Sequence, residues 1–154
     1  MEDKIIKETL TNAKTIAMVG VSSIKQEDSS NIKRRPSIIV MKYLQEFGYK
    51  VIPVNPFSEG KKVHGETIVG KLEDVSTPID IVNVFRPSKE APEIAEQAVK
   101  IGAKVLWLQF GIQNTEAEKI SKSAGITCIM NKCIKQEYQK LFKKSNPVFP
   151  VLKK

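Results

Sequence analysis

The sequence predicts an α/β fold, a Rossmann-like doubly wound parallel sheet of about five strands with helices on both faces. Three observations lead there. Short apolar runs rich in Val and Ile alternate with longer stretches whose apolar residues recur at helical spacing. Gly48, Gly102 and Gly125 each stand where one of those helical stretches must stop. The first apolar run ends on Gly20, and a helix opens further on at Pro36, giving a strand, a glycine turn and a helix in sequence.

Taken in order, residues 3–12 suit a short helix with Ile5, Ile6 and Leu10 on one side. Strand one is Thr15–Val19. The stretch from Ser22 to Arg35 is polar, without helical or strand periodicity, and reads as a loop. Pro36 then starts a helix, where its missing N–H costs nothing, and Ile38, Ile39, Met41, Tyr43, Leu44 and Phe47 give it a broad apolar face. Strand two is Lys50–Val54, stopped by Asn55 and Pro56; Asn55 must be extended because proline follows.

Residues 57–78 are the least regular part, with a short strand expected at Thr67–Val69 and a helical turn at Leu72–Val75. Strand three is Ile79–Phe85. A helix follows Arg86, Pro87 and Ser88 and runs to about Ile101, with Ile94, Ala95, Ala98 and Val99 inward. Strand four is Lys104–Gln109, a helix capped by Asn114 or Thr115 comes next, and strand five is Ile126–Met130. The last amphipathic helix uses Ile134, Tyr138, Leu141 and Phe142. The division expected is a single domain over residues 1–145 and a C-terminal tail over 146–154.

The bulk numbers agree. A chain of 154 residues, 41% hydrophobic and 27% charged, fits one ordinary globular domain. No apolar run has the length to span a bilayer, and the charged N-terminus lacks a signal-peptide core, so no membrane and a cytoplasmic setting are expected. Cys128 and Cys133 make no disulfide framework, and a single His cannot complete a zinc site with them. The net charge of +8 suits an anionic partner. Its excess lies at Lys33, Arg34 and Arg35 and in the C-terminal segment. With no RNP, zinc-finger or homeodomain signature beside it, nucleic acid is not the expected partner.

In an open parallel sheet, ligands bind beyond the carboxyl ends of the strands, where strand order reverses. The candidates are therefore the residues just after each strand: Gly20–Ser23, Asn55 and Pro56, Phe85 and Arg86, Gln109–Gly111, and Asn131–Cys133. A glycine turn ahead of a helix start brings backbone N–H groups against phosphate oxygens, so a phosphorylated cofactor is expected at the first turn. NAD is the default for this architecture, and two features oppose it. G-x-G-x-x-G is absent, and strand two ends in Val54, Asn55 and Pro56 with no acidic residue for a ribose diol. Trp107, inside an apolar strand, reads as core. His64 reads as a solvated loop residue, Cys133 as a packed thiol, and Arg86 as either a site residue or half of a surface ion pair.

Several segments together resemble one family: IAMVGVSS at Ile16–Ser23, RPS at Arg35–Ser37, YLQEFGYKVIPVNP at Tyr43–Pro56, DIVNVFRPSKEAPEI at Asp80–Ile94, GAKVLWLQFGIQN at Gly102–Asn114 and MNKCIK at Met130–Lys135. In order and spacing they resemble the small stand-alone CoA-binding domain proteins. That fold is also found in the amino-terminal domain of the succinyl-CoA synthetase alpha subunit. The resemblance implies coenzyme A, or an acyl-CoA, held at the carboxyl edge. It implies that Gly20, Val21, Ser22 and Ser23 meet the pyrophosphate, and that Arg35 and Ser37 reach phosphate oxygens. Val54, Asn55 and Pro56 would border the adenosine. Phe85 and Arg86 would lie along the ligand, with Gln109 and Gly111 on the pantetheine side. Lys132, Cys133 and Ile134 stand where the family has Arg-Cys-Pro. With neither G-x-S-x-G nor H-E-x-x-H present, the expectation is a binding protein and not an enzyme. A homo-oligomer, a partner subunit of an acyl-CoA synthetase and an NAD(H) redox sensor stay open as alternatives.

Overall fold

The computed structural model describes residues 2–21 and 36–142. Along the chain the elements are α1 (Glu2–Asn12), β1 (Thr15–Val19), α2 (Pro36–Glu46), β2 (Lys50–Val54), β3 (Lys62–Val63), β4 (Glu66–Thr67), β5 (Ile81–Val84), α3 (Ala91–Lys100), β6 (Val105–Leu108), α4 (Thr115–Ser123), β7 (Thr127–Ile129) and α5 (Ile134–Phe142). Short 3₁₀ turns at Leu72–Asp74 and Ser88–Glu90 precede β5 and α3. No helix among the described residues is long and apolar enough to cross a membrane.

Five strands form one parallel sheet in the order β2-β1-β5-β6-β7. Val19 lies opposite Val54 on one side and Val84 on the other, so the three strands finish level. β1, β5 and β6 are buried along their whole length, as strands covered on both faces must be. Successive residues face opposite layers. Ile16 and Met18 pack with Ile6, Leu10, Met41, Leu44 and Ile134 from α1, α2 and α5. Ala17 and Val19 pack with Ala91, Ile94, Ala95, Ala98 and Ala117 from α3 and α4. The small residues of the second layer let α3 and α4 approach the sheet closely.

The fold class is as predicted, and β1 and β2 have their predicted bounds. The later strands are a residue or two shorter at each end, because the chain leaves the ladder before the apolar run is over. The region after β2 differs more. The expected strand at Thr67–Val69 is instead β4, paired antiparallel with β3 across His64 and Gly65. Those two residues have φ of +49° and +83°, the pair of positive angles that a two-residue hairpin turn requires. Val69 makes a single parallel bridge to Val54, with its N–H 2.9 Å from the Pro53 carbonyl.

Candidate functional site

The strand order places the reversal between β1 and β5. The chain passes from β1 outward to β2, then crosses back over β1 to reach β5. The crevice that such a crossing opens lies at the carboxyl ends of those two strands. Val19 ends β1 and Gly20 begins the first turn, with its N–H 2.8 Å from the Val54 carbonyl. Phe85 begins the turn after β5, with its N–H 2.8 Å from the Val19 carbonyl. Three strand ends are thus tied at one point.

Gly20 has a φ of +108°, where an L side chain is strained. A Cβ there would stand 2.9 Å from the Phe85 carbonyl oxygen and 3.0 Å from Cδ of Arg86. The glycine is therefore required first by the close approach of two turns of the protein itself. Val21, next in the chain, has a fully buried side chain and offers only its backbone.

At the end of β2, Asn55 is 5% exposed and spends both ends of its amide internally. Its Nδ2 donates to the Val21 carbonyl at 3.1 Å. Its Oδ1 accepts from the Phe57 N–H at 2.8 Å. The Ser58 N–H closes on the Asn55 carbonyl at 3.2 Å, so residues 55–58 form a turn with Pro56 at its second position. Val54 is buried; Pro56 and Phe57 are exposed. Asn55 is thus a bracket between the β2 turn and the first turn.

At the end of β5, Arg86 is half-buried and bidentate to Glu90, with Nε 3.0 Å from Oε1 and Nη2 2.9 Å from Oε2. The hydrogen-bonded guanidinium holds the Glu90 carboxyl below its usual range, and the same bonds raise the Arg86 pKa. The sequence left Arg86 between a site residue and an ion pair; the ion pair is present, and it stands against the first turn.

At the end of β6 the candidate Gln109 is 5% exposed. Its Oε1 accepts from Asn83 Nδ2 at 3.1 Å and from the Ile134 N–H at 3.0 Å, so it joins β5 and β6 to the start of α5. Asn83 also donates to the Trp107 carbonyl at 3.3 Å, and its own Oδ1 is buried with no hydrogen-bond partner among the described residues. Gly111 is exposed with a φ of +90°, its N–H 2.7 Å from Asn131 Oδ1. Ser37 lies buried in the first turn of α2. Gly20, Val21, Val54, Asn55, Phe85 and Arg86 come together directly; Gln109 and Gly111 lie further along the same edge, past β5. Ser22, Ser23 and Arg35, with Lys33 and Arg34, lie outside the described residues.

The remaining candidates resolve as structural parts. Trp107 is fully buried in β6, and its Nε1 donates to the Lys132 carbonyl at 2.8 Å. His64 is not a solvated loop residue: its Nε2 lies 3.0 Å from the Ile38 carbonyl, clamping the β3–β4 hairpin to α2. Cys133 packs against the α1/α2/α5 core layer, and burial pushes the Cys128 thiol up to about 11. No group of three or more His, Cys, Asp or Glu among the described residues is placed to hold a metal ion.

Sequence reasoning missed Glu90, although its spacing of four from Arg86 is a readable helix pair. It also passed over Phe57, which is 82% exposed just past the end of β2, and gave Phe110, 73% exposed within the candidate range Gln109–Gly111, no role of its own.

Comparison with known proteins gives a consistent picture. A family model described as a CoA binding domain matches residues 14–139. The uncharacterized protein YneT of Bacillus subtilis (strain 168) is 42% identical over 130 residues, which is 84% of this chain and 89% of that protein. Among solved structures, the cell-free ID.343 protein of Thermus thermophilus is 37% identical, with a TM-score of 0.81, over 92% of this chain and 100% of its own. A hypothetical protein from Pyrococcus horikoshii OT3 is 39% identical, with a TM-score of 0.80, over 92% of this chain and 93% of its own.

Proposed function

The chain belongs to the CoA-binding domain family, and on that footing we propose that it binds coenzyme A, or an acyl-CoA, at the carboxyl edge of its sheet and catalyses no reaction of its own. The observation that carries the reading is the site's position. The turns after β1, β2 and β5 are tied together at the reversal of strand order, where an open α/β sheet takes its ligand. In this reading the backbone of Gly20 and Val21, with Ser22 and Ser23, receives the pyrophosphate. Arg35 and Ser37 add contacts from the start of α2, where the helix dipole favours an anion. The adenosine lies by Val54, Asn55 and Pro56. Phe85 and Arg86 run beside the ligand, and Gln109 and Gly111 stand on the pantetheine side. Asn55 acts there by shaping the edge, since both ends of its amide are engaged within the protein, and Gln109 shares that role through its Oε1.

The absence of catalysis rests on the chemistry of the described groups. His64 is held to a backbone carbonyl, and burial keeps the Cys128 thiol protonated near neutrality. Calorimetry with CoA and with NAD tests the ligand: CoA is expected to bind, and comparable heats for NAD at micromolar concentration would overturn the assignment. Dephospho-CoA is expected to bind about tenfold more weakly than CoA, since one charge-assisted contact from Lys33, Arg34 or Arg35 to the 3′-phosphate is worth about that much. Thiol release from acetyl-CoA and succinyl-CoA should not rise above the rate without protein.

A further inference from the structure

An exposed phenyl ring on a rigid mount is an unusual thing to find at a ligand edge, because an apolar group of that size normally finds cover. Phe57 is 82% exposed. Its backbone is nevertheless fixed three ways. Pro56 before it sets its own φ, Asn55 Oδ1 holds the Phe57 N–H at 2.8 Å, and the Ser58 N–H closes the turn on the Asn55 carbonyl at 3.2 Å. The bracket is tied in turn to the first turn of the sheet through Asn55 Nδ2 and the Val21 carbonyl. A ring held this way loses little conformational freedom when something packs on it.

The end of the second strand is where nucleotide-binding sheets of this kind recognise the adenosine end of a cofactor, commonly with a polar side chain on the ribose. Here the polar side chain at that position is turned inward and used up. What the end of β2 presents outward is Pro56 and Phe57. We propose that Phe57 is a stacking platform for the purine ring of the ligand, which is recognised at the end of β2 by its face. This rests on the CoA reading above and adds a residue and a mode of recognition to it.

The test compares CoA with 4′-phosphopantetheine, which lacks the nucleotide, on the wild type and on Phe57→Ala, Phe57→Leu and Phe57→Trp. Stacking of one base on an aromatic ring corresponds to about a tenfold change in affinity on truncation. Phe57→Ala and Phe57→Leu should weaken CoA by about that factor and leave 4′-phosphopantetheine within about twofold, and Phe57→Trp should retain CoA affinity. Melting temperatures should not move, since the ring is not packed in the fold. Equal loss for both ligands, no loss for either, or a fall in molecular mass by light scattering on Phe57→Ala would each overturn the stacking role. A wild type that binds neither ligand would sink the CoA reading itself, whereas a wild type that binds CoA and an alanine variant that binds it equally well would sink only the role of Phe57.

Discussion

Gly20→Ala should destabilise the fold before it touches any ligand. Two costs are set by the geometry. A φ of +108° is outside the range that alanine adopts without strain, at about 1–3 kcal/mol. The new Cβ would also sit 2.9 Å from the Phe85 carbonyl oxygen and 3.1 Å from its carbon, both backbone atoms at the end of β5. The third neighbour, Arg86 Cδ at 3.0 Å, is part of a flexible stem and can move aside. The backbone cannot do so without disturbing the Phe85 N–H bond to Val19, so overpacking adds about 1–3 kcal/mol. The total is about 2–6 kcal/mol, or about 4–24 °C in Tm for a domain of this size. Gly48→Ala is the control, because Gly48 has a similar φ of +101° with nothing within 4 Å of the built Cβ. Thermal and urea unfolding of both variants by circular dichroism separate strain from packing. If Gly20→Ala costs no more than Gly48→Ala, the close approach of the two turns carries no energy and the reasoning fails. A larger residue such as valine at position 20 should worsen the fold further. A loss of ligand binding there is interpretable only where the variant is shown to be folded.

Three other outcomes are expected. Asn55→Asp should cost about 2–4 kcal/mol at pH 7, because a carboxylate would be buried facing the Val21 carbonyl with no donor between them; that raised acid makes the loss shrink as pH falls toward the unfolded value near 4, which urea titrations at pH 4.5 and 7 can measure. Asp80 behaves in the opposite sense. Burial alone would raise its pKa, but the Lys14 and Thr15 N–H donors at 2.8 and 3.1 Å, with Lys104, outweigh burial and lower it. Its contribution is therefore full above the unfolded pKa and lost as pH falls through the lower folded one, so Asp80→Asn should cost about 1–2 kcal/mol at pH 7 and progressively less as pH falls through that folded value, which urea titrations across the acid range follow. Cys128, with its pKa pushed up to about 11 by burial, should be alkylated by iodoacetamide at pH 8 roughly a hundredfold more slowly than a free thiol, followed by mass spectrometry of the labelled peptide.

The strands and helices were legible because each rests on local pattern. Two-faced burial writes continuous apolar runs such as Thr15–Val19, and helix ends write glycines such as Gly48 and Gly102, which do adopt positive φ. Where the strand-end turns gather was legible too, because a parallel sheet has only one edge at which its strands all end. What spacing did not reveal is where side chains point once the ladder is over. Past a strand end the period of two no longer holds, and the turn decides. Asn55 and Gln109 read as strand-end residues bordering the ligand, yet the turn after β2 and the packing of α5 draw hydrogen-bonding groups of both inward. The β3–β4 hairpin was missed for a related reason. His-Gly is a weak turn signal, and His64 accepts a positive φ while its ring is anchored on the Ile38 carbonyl.

The inward turning of these amides decides what is left for a ligand to meet. Asn55 already holds one hydrogen bond at each end of its amide, and Gln109 Oε1 already accepts two, so drawing either group away would leave a buried partner unpaired at about 1–3 kcal/mol each. Recruiting Arg86 is far cheaper. Its pair with Glu90 is half-exposed, with side chains 34% and 36% accessible, and such pairs are worth about 0–1 kcal/mol. A phosphate that competes with Glu90 for the guanidinium therefore faces little resistance, while one that competes with the Val21 carbonyl for Asn55 Nδ2 faces more. The physical division of labour at this edge follows: buried amides fix the strand ends relative to one another, the exposed backbone and aromatic faces are open to contact, and the arginine is held loosely enough to change partners.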